Sequence, residues 1–430
     1  MAKRTKIVFL GAGSAIFTER LVADLIRQKD VGDCYLVMHD IDKKVLGYMT
    51  AYTRMMVKRE KSPVKIDGEL NRARAFDGAG FVLVTLTIGG GPADIIDVDV
   101  PAKYGVVQPV GDTLGPGGLM RIFRMAGPFT AFAADMEKYC PHAMMINYSN
   151  PMTMLCRLVS RVSKVKVVGL CHGTWGTLGY LGPKLGIPPA EIEVLPAGVN
   201  HFIWFLRLRH KGRDLNPLLR KVLIDEGKGA DRPVSTELFR IYGSYPSPGD
   251  RHLVEFLPYY LKDEATRKKY NLALRDNRAT DRYRHEGRKA CREVVEGKRP
   301  LPDLKASGER AMHIIASVVN NKNEVHYANI PNKGYIRNLP DDVIVEVPTR
   351  FGRKGAVGEK VGDLPLGIHS HVVRIVGTQE LGVEAALTGD YRLALQAFLS
   401  DSIVTDVAVA EKMLKDMFRR SRKWLTQFRQ

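Results

Sequence analysis

Residues Phe81-Val82-Leu83-Val84-Thr85-Leu86-Thr87-Ile88 form a nearly unbroken apolar run that stops at Gly89-Gly90-Gly91. A strand wetted on one face alternates polar and apolar residues. A run without alternation is expected where helices cover both faces of a parallel sheet. Similar runs occupy 6–10, 34–38, 143–148 and 165–170, with helix-period segments at 14–27, at 42–61 and from about Pro151 onward. This alternation predicts an α/β fold with an N-terminal doubly wound, Rossmann-type parallel sheet. A strand-like segment, Ile192-Glu193-Val194-Leu195, follows. Beyond residue 201 the pattern changes to helical, charged sequence over 214–300, strands within 324–348 and helices over 367–428. The expected division is 1–200, a nucleotide-binding domain, and 201–430, a C-terminal α+β domain for substrate, metal and oligomerisation.

Five widely scattered cysteines, an odd number, argue against a disulfide scaffold and for a reducing, cytoplasmic setting. The start, Met1-Ala2-Lys3-Arg4-Thr5-Lys6 before Ile7-Val8-Phe9-Leu10, has the outline of a secretory leader. Glycines and then Thr18-Glu19-Arg20 interrupt its apolar run, so strand, turn and helix are predicted instead. No stretch approaches the ~20 apolar residues of a membrane span. The net charge of +18 suits an anionic partner. Its basic runs, Arg419-Arg420-Ser421-Arg422-Lys423 and 282–292, lack the aromatic interleaving of a nucleic-acid surface and read as solvated helix faces.

Gly11-Ala12-Gly13-Ser14 follows a strand and opens a helix, where glycines let the backbone approach a pyrophosphate. Ile16 stands where a third glycine would complete the G-x-G-x-x-G pattern, so the loop alone is also compatible with a tight turn. Asp40, at the end of the second strand, can accept from ribose hydroxyls and disfavours a 2′-phosphate, which predicts NAD rather than NADP.

Cys171-His172-Gly173 and Gly198-Val199-Asn200-His201 each follow a strand, and Asn147-Tyr148-Ser149-Asn150-Pro151 ends a third. A lone cysteine is usually a small hydrophobe and a lone histidine a core hydrogen bonder. Gathered at strand ends, where open α/β sheets bind ligands, a thiolate and an imidazole can hold a divalent metal between them.

Across its whole length the chain resembles glycoside hydrolase family 4, the NAD- and manganese-dependent glycosidases. The matching segments include 9–14, 103–106, Asp112-Thr113-Leu114-Gly115-Pro116-Gly117-Gly118, 147–152, Gly169-Leu170-Cys171-His172-Gly173, 197–201, 338–342 and 384–390. The resemblance implies Cys171 and His201 as ligands of Mn2+, Asn150 as a binder of substrate hydroxyls, and Gly11, Gly13, Ser14 and Asp40 as the NAD site. It also implies a mechanism outside the usual two-carboxylate scheme: NAD oxidises C3 of the sugar, a base removes the acidified C2 proton beside the metal, the C1 group leaves, water adds, and the hydride returns. The family places its base between 242 and 252. Asp250 is the first candidate and Tyr242 and Tyr245 the next. Their structural alternatives are a helix cap for Asp250 and core packing for the tyrosines. His172 corresponds to a group near the leaving oxygen, as general acid or as a hydroxyl binder. A homodimer or homotetramer is implied as well.

Cys-His-Gly resembles the members that cleave unphosphorylated α-glycosides, the α-galactosidase and uronidase branches. Asp94 stands where phospho-sugar enzymes carry an Arg, and a carboxylate there is expected to repel phosphate. The expected substrate is an anionic α-hexuronide, an α-glucuronide or α-galacturonide, whose C6 carboxylate needs a cationic partner; Arg121 and Arg124 are the candidates. A neutral α-galactoside or α-glucoside is the alternative within the family. A simple NAD-dependent dehydrogenase of a sugar or hydroxy acid, or a silent NAD-binding regulator, are the alternatives of other classes.

Overall fold

The computed structural model describes residues 4–428; residues 1–3 of the leader-like start lie outside them. The first apolar run forms β1 (Thr5–Leu10), and α1 (Ala15–Arg27) follows with Ser14 at its cap. Then come β2 (Cys34–His39) and α2 (Lys43–Arg59), which Asp42 caps by accepting from the N–H groups of Lys44 and Val45. The chain continues through β3 (Lys65–Glu69), α3 (Arg72–Phe76), β4 (Phe81–Val84), α4 (Gly90–Lys103) and α5 (Gly115–Tyr139). The unit closes with β5 (Met144–Asn147), α6 (Met152–Val162), β6 (Lys166–Gly169) and α7 (Gly173–Leu185). The six strands pair in parallel in the order β3-β2-β1-β4-β5-β6, with the carboxyl ends of all six on one edge.

The run that predicts a long strand over 81–88 is shorter as a strand. Only Phe81–Val84 pairs, with Val82, Leu83 and Val84 fully buried. Each such side chain contributes roughly 1.5–3 kcal/mol by leaving water. Thr85 N–H still donates to Leu10 O of β1, and the ladder ends beyond it because Leu86 N–H is claimed by Ser149 Oγ at 3.0 Å. Gly89 and Gly90, at φ +83° and +53°, then turn the chain into α4.

The second half extends the same sheet. It begins with β7 (Glu193–Val199) and β8 (Phe202–His210), an antiparallel hairpin, followed by β9 (Arg213–Asp214) and α8 (Asn216–Arg220). Next are α9 (Pro233–Tyr242), β10 (Tyr245–Ser247), α10 (Asp250–Leu253), α11 (Glu264–Lys269), α12 (Asn277–Val295) and α13 (Ala311–Val319). Then β11 (Glu324–Pro331), β12 (Ile344–Gly352) and β13 (Gly355–Gly358) precede the helices α14 (Leu366–Thr388), α15 (Tyr391–Ser400) and α16 (Val407–Ser421).

The antiparallel strands continue the sheet outward from β6 in the order β11, β12, β7, β8, β10. Residue 200 lies in the turn between β7 and β8, so one sheet runs through both halves. A single transverse row crosses the junction: Gly169 pairs with Asn329, Asn329 with Glu346, and Glu346 with Gly198. That row brings the loop after β6 and the turn after β7 to opposite flanks of the short β11–β12 ribbon. Among the described residues no helix is long and apolar enough to cross a membrane. All five cysteines are unpaired.

Candidate active site

The glycine loop sits where side chains do not fit. A Cβ on Gly11, at φ +89°, would lie 2.8 Å from Leu86 Cβ, and one on Gly13 would lie 2.7 Å from both Asp40 Oδ2 and Val45 Cγ1. Gly13 N–H donates to Asp40 Oδ2 at 2.8 Å and Asp42 N–H to Asp40 Oδ1 at 3.0 Å. Asp40 therefore braces the loop, and a carboxylate's remaining lone pairs still accept ribose hydroxyls. Ser14 caps α1 without a side-chain bond, so the first N–H groups of the helix remain available to an anion. Ile16, the departure from the glycine pattern, packs toward Gly287 of α12, whose Arg288 donates to Gly13 O at 2.9 Å. The helix from the second half thus backs the loop.

At the other site, the turn between β7 and β8 carries Asn200 and His201, with His201 held at φ +65°. The sequence suggests delivery from a strand end of the parallel sheet; His201 arrives instead in a hairpin turn of its antiparallel extension. Its ring lies 4.0 Å, centroid to centroid, from that of His252 on α10. Asp112, from the loop before α5, joins them. Ligand atoms of Asp112, His201 and His252 all lie within 4.8 Å of one another, the one such group of three among the described residues. Neither Asp112 nor His252 is assigned a role by the sequence, because 89 and 51 residues separate them from His201 and no spacing links them.

The electrostatics suit a cation. Burial, reinforced by the repulsion that two protonated rings so close would feel, holds the His201 pKa well below the usual imidazole value, and burial lowers that of His252 too. Burial alone would raise Asp112, but Arg121 and Arg275 hold it well below the usual carboxylate range. Two neutral imidazoles beside an ionised carboxylate form a donor set that a divalent ion of manganese type accepts. The Nδ1 of His252 is buried with no hydrogen-bond partner, a vacancy that a ligand would fill.

Cys171 is outside the mutually close three and lies near Asn200, the neighbour of His201. Its Sγ accepts from Gly173 N–H at 3.3 Å, and burial next to Glu346 pushes its thiol pKa up, so a metal would have to displace the proton. Glu346 ties the two loops together: its carboxylate accepts from Asn329 Nδ2 at 2.8 Å, Asn200 Nδ2 at 3.4 Å and Thr174 Oγ1 at 3.4 Å. Burial pushes its pKa up to about 7. Asn150 Oδ1 is buried and has no partner in the protein, as a group that serves a substrate hydroxyl would. His172 is exposed at the start of α7, its Nδ1 3.7 Å from Glu309 Oε1.

The three candidate bases meet different fates. Asp250 caps α9: its carboxylate accepts from the N–H groups of Val234 and Ser235 at 3.0 and 2.9 Å and from Ser235 Oγ at 2.5 Å. Tyr245 is buried in the smaller apolar core with Phe205 and Phe239. Tyr242 is half-buried against Trp204, its Oη 2.8 Å from His371 Nε2.

The expected carboxylate readers are engaged elsewhere, which corrects the sequence expectation. Arg124 donates to both oxygens of Asp97, and Arg121 donates to Asp94 and Asp97, all deeply buried between α4 and α5. Asp94 also accepts from Arg284 at 2.6 Å, so its charge is compensated and its expected repulsion of phosphate is blunted. The guanidinium that stands at the site is Arg275, about a third exposed and 3.1 Å from Asp112 Oδ2.

Comparison with known proteins follows the same lines. The profile described as Family 4 glycosyl hydrolase matches residues 6–186, and that of the family's C-terminal domain matches 196–404. The chain belongs to glycoside hydrolase family 4. This family 4 chain is 31% identical to an α-galacturonidase of Bacillus subtilis (strain 168), over 96% of this chain and 97% of that one. It is 29% identical to an α-galactosidase of Rhizobium meliloti (strain 1021), over 98% and 89%. A crystal structure of a putative glucosidase from Bacillus subtilis superposes with a TM-score of 0.88 at 29% identity, covering 96% and 99%. A 6-phospho-α-glucosidase from gut microorganisms, solved with NAD and Mn2+, superposes at 0.86 with 20% identity over 98% and 99%, a likeness of fold. The family 4 chain is a glycoside hydrolase.

Proposed function

We propose that the chain hydrolyses an α-hexuronide, foremost an α-galacturonide, with NAD and Mn2+ as its cofactors. The observation that carries this reading is the grouping of Asp112, His201 and His252 with Arg275 against Asp112, which gives one site both a cation-binding donor set and a partly exposed guanidinium. Four relatives of 29–31% identity are named α-galacturonidases and support the uronide arm.

NAD would take and return hydride at C3, and the divalent cation would stabilise negative charge as C2 loses its proton. Gly11, Gly13 and Ser14 would let the dinucleotide pyrophosphate approach the uncapped first turn of α1, with Asp40 beside the ribose. His201 and Cys171 would hold the cation, and Asn150 a sugar hydroxyl. The C2 proton would pass to the segment 242–252. His172, exposed at the start of α7, would donate to the leaving oxygen. Arg275 would read the C6 carboxylate through charge-assisted bonds. The same reading makes the protein a homo-oligomer of a reducing compartment, in keeping with its five free thiols.

The test is turnover of 4-nitrophenyl α-galacturonide, α-glucuronide and α-galactoside with NAD, Mn2+ and a thiol reductant. Release of nitrophenol from a uronide without net NADH is the expected result. Activity on the galactoside alone would overturn the uronide reading, and NADH accumulating in proportion to substrate would make the protein a dehydrogenase.

A further inference from the structure

We propose that His252 and Asp112 are protein ligands of the divalent cation, so that four side chains, Cys171, His201, His252 and Asp112, hold it rather than the first pair alone. The inference rests on the metal-dependent reading above and deepens it.

Geometry is the first support. Donor atoms about 2.1–2.2 Å from one ion lie at most about 4.4 Å apart. The atoms of Asp112, His201 and His252 lie within 4.8 Å of one another, so shifts of a few tenths of an ångström close the shell.

Hydrogen bonding is the second. The Thr113 hydroxyl donates its single proton to Asp112 Oδ1 at 3.0 Å. Its 2.7 Å contact with His201 Nδ1 must then be an acceptance, which puts the ring proton on Nδ1 and leaves the Nε2 lone pair free for a metal. Thr113 thereby orients both an imidazole and a carboxylate toward one point. His252 supplies the third observation, a buried Nδ1 that no protein group satisfies.

The chemistry is consistent. A thiolate, two imidazoles and a carboxylate leave about two positions on a six-coordinate ion, enough for two adjacent sugar oxygens.

The experiment titrates Mn2+ into wild type, His252→Gln and Asp112→Asn, following the signal of free Mn2+ by electron paramagnetic resonance. NAD affinity and Tm serve as controls of fold. Each variant is expected to bind Mn2+ at least about tenfold more weakly with NAD affinity kept. Wild-type Mn2+ affinity in His252→Gln would overturn the proposal and leave the metal-dependent reading standing. No Mn2+ binding by wild type would overturn both. A measurement without variants guards against misfolding: electron spin echo modulation of the wild-type Mn2+ complex should show two coupled imidazole nitrogens, and a single one overturns the proposal.

Discussion

The rings of His201 and His252 lie 4.0 Å apart at an interplanar angle of 41°. One comes from a hairpin turn of the sheet and the other from a four-residue helix beyond it. Their neutrality, enforced by burial, leaves ring nitrogens with lone pairs where a proton would otherwise sit.

Glu346 is predicted to keep that pair in register. Its carboxylate is the shared acceptor of Asn329, Asn200 and Thr174. Glu346→Ala leaves buried donors unpaired, at a cost of about 1–3 kcal/mol for each group stranded. The expected outcome is a lower denaturant midpoint together with weaker Mn2+ binding, since Asn200 adjoins His201. A stable variant with undiminished Mn2+ affinity would refute the link.

Arg275→Ala should separate substrates. A charge-assisted bond to a C6 carboxylate is worth about 1.5–3 kcal/mol, roughly 10- to 150-fold in kcat/KM. The loss is expected on the uronide, with a much smaller change on a neutral galactoside. Equal losses on both would assign Arg275 to Asp112 rather than to the substrate.

Glu255 links stability to pH. It is fully buried, accepts from the N–H groups of Val110 and Gly111 at 2.7 Å, and burial pushes its pKa up to about 8 from an ordinary 4.5. The native state keeps a proton that the unfolded chain releases, so this contribution is complete below the unfolded value and is lost as pH rises toward 8. Glu255→Gln retains an acceptor oxygen and cannot titrate. Thermal melts across this range should therefore show a smaller fall of Tm with rising pH in the variant than in wild type. Parallel curves would count against the assignment.

Asp250→Ala tests a cap against a base. Removal of three bonds at the start of α9 predicts a destabilisation of about 1–2 kcal/mol, seen as a lowered midpoint of unfolding. Exchange of the C2 proton with deuterated solvent gives the catalytic readout. Full retention of exchange in a destabilised variant would mark Asp250 as structural, whereas abolished exchange at unchanged stability would mark it as the base.

The parallel sheet was legible because its signals are local. Apolar runs such as 81–84 and 34–39 need only their own residues to declare burial, and Gly11 and Gly13 announce a loop without room for side chains. The run over 81–88 misled at its end because Leu86 N–H is taken by Ser149, a partner 63 residues away. Arg121 and Arg124 looked available for the same reason, since the aspartates that claim them sit 24 and 27 residues upstream on another helix.

By itself, the sequence determined the nucleotide-binding half, the family, and Cys171 and His201 as a pair worth joining to a metal. Tertiary structure alone decided that Asp112 and His252 stand with His201, that Arg121 is bonded to Asp94 and Asp97 while Arg275 bonds Asp112, and that Asp250 caps the start of a helix. The physical reason is range. Burial and turn geometry are properties of a segment, whereas coordination and ion pairing depend on which distant segments the sheet brings together. Here one row, Gly169–Asn329–Glu346–Gly198, joins four segments spread over nearly two hundred residues and aligns the loops on either side.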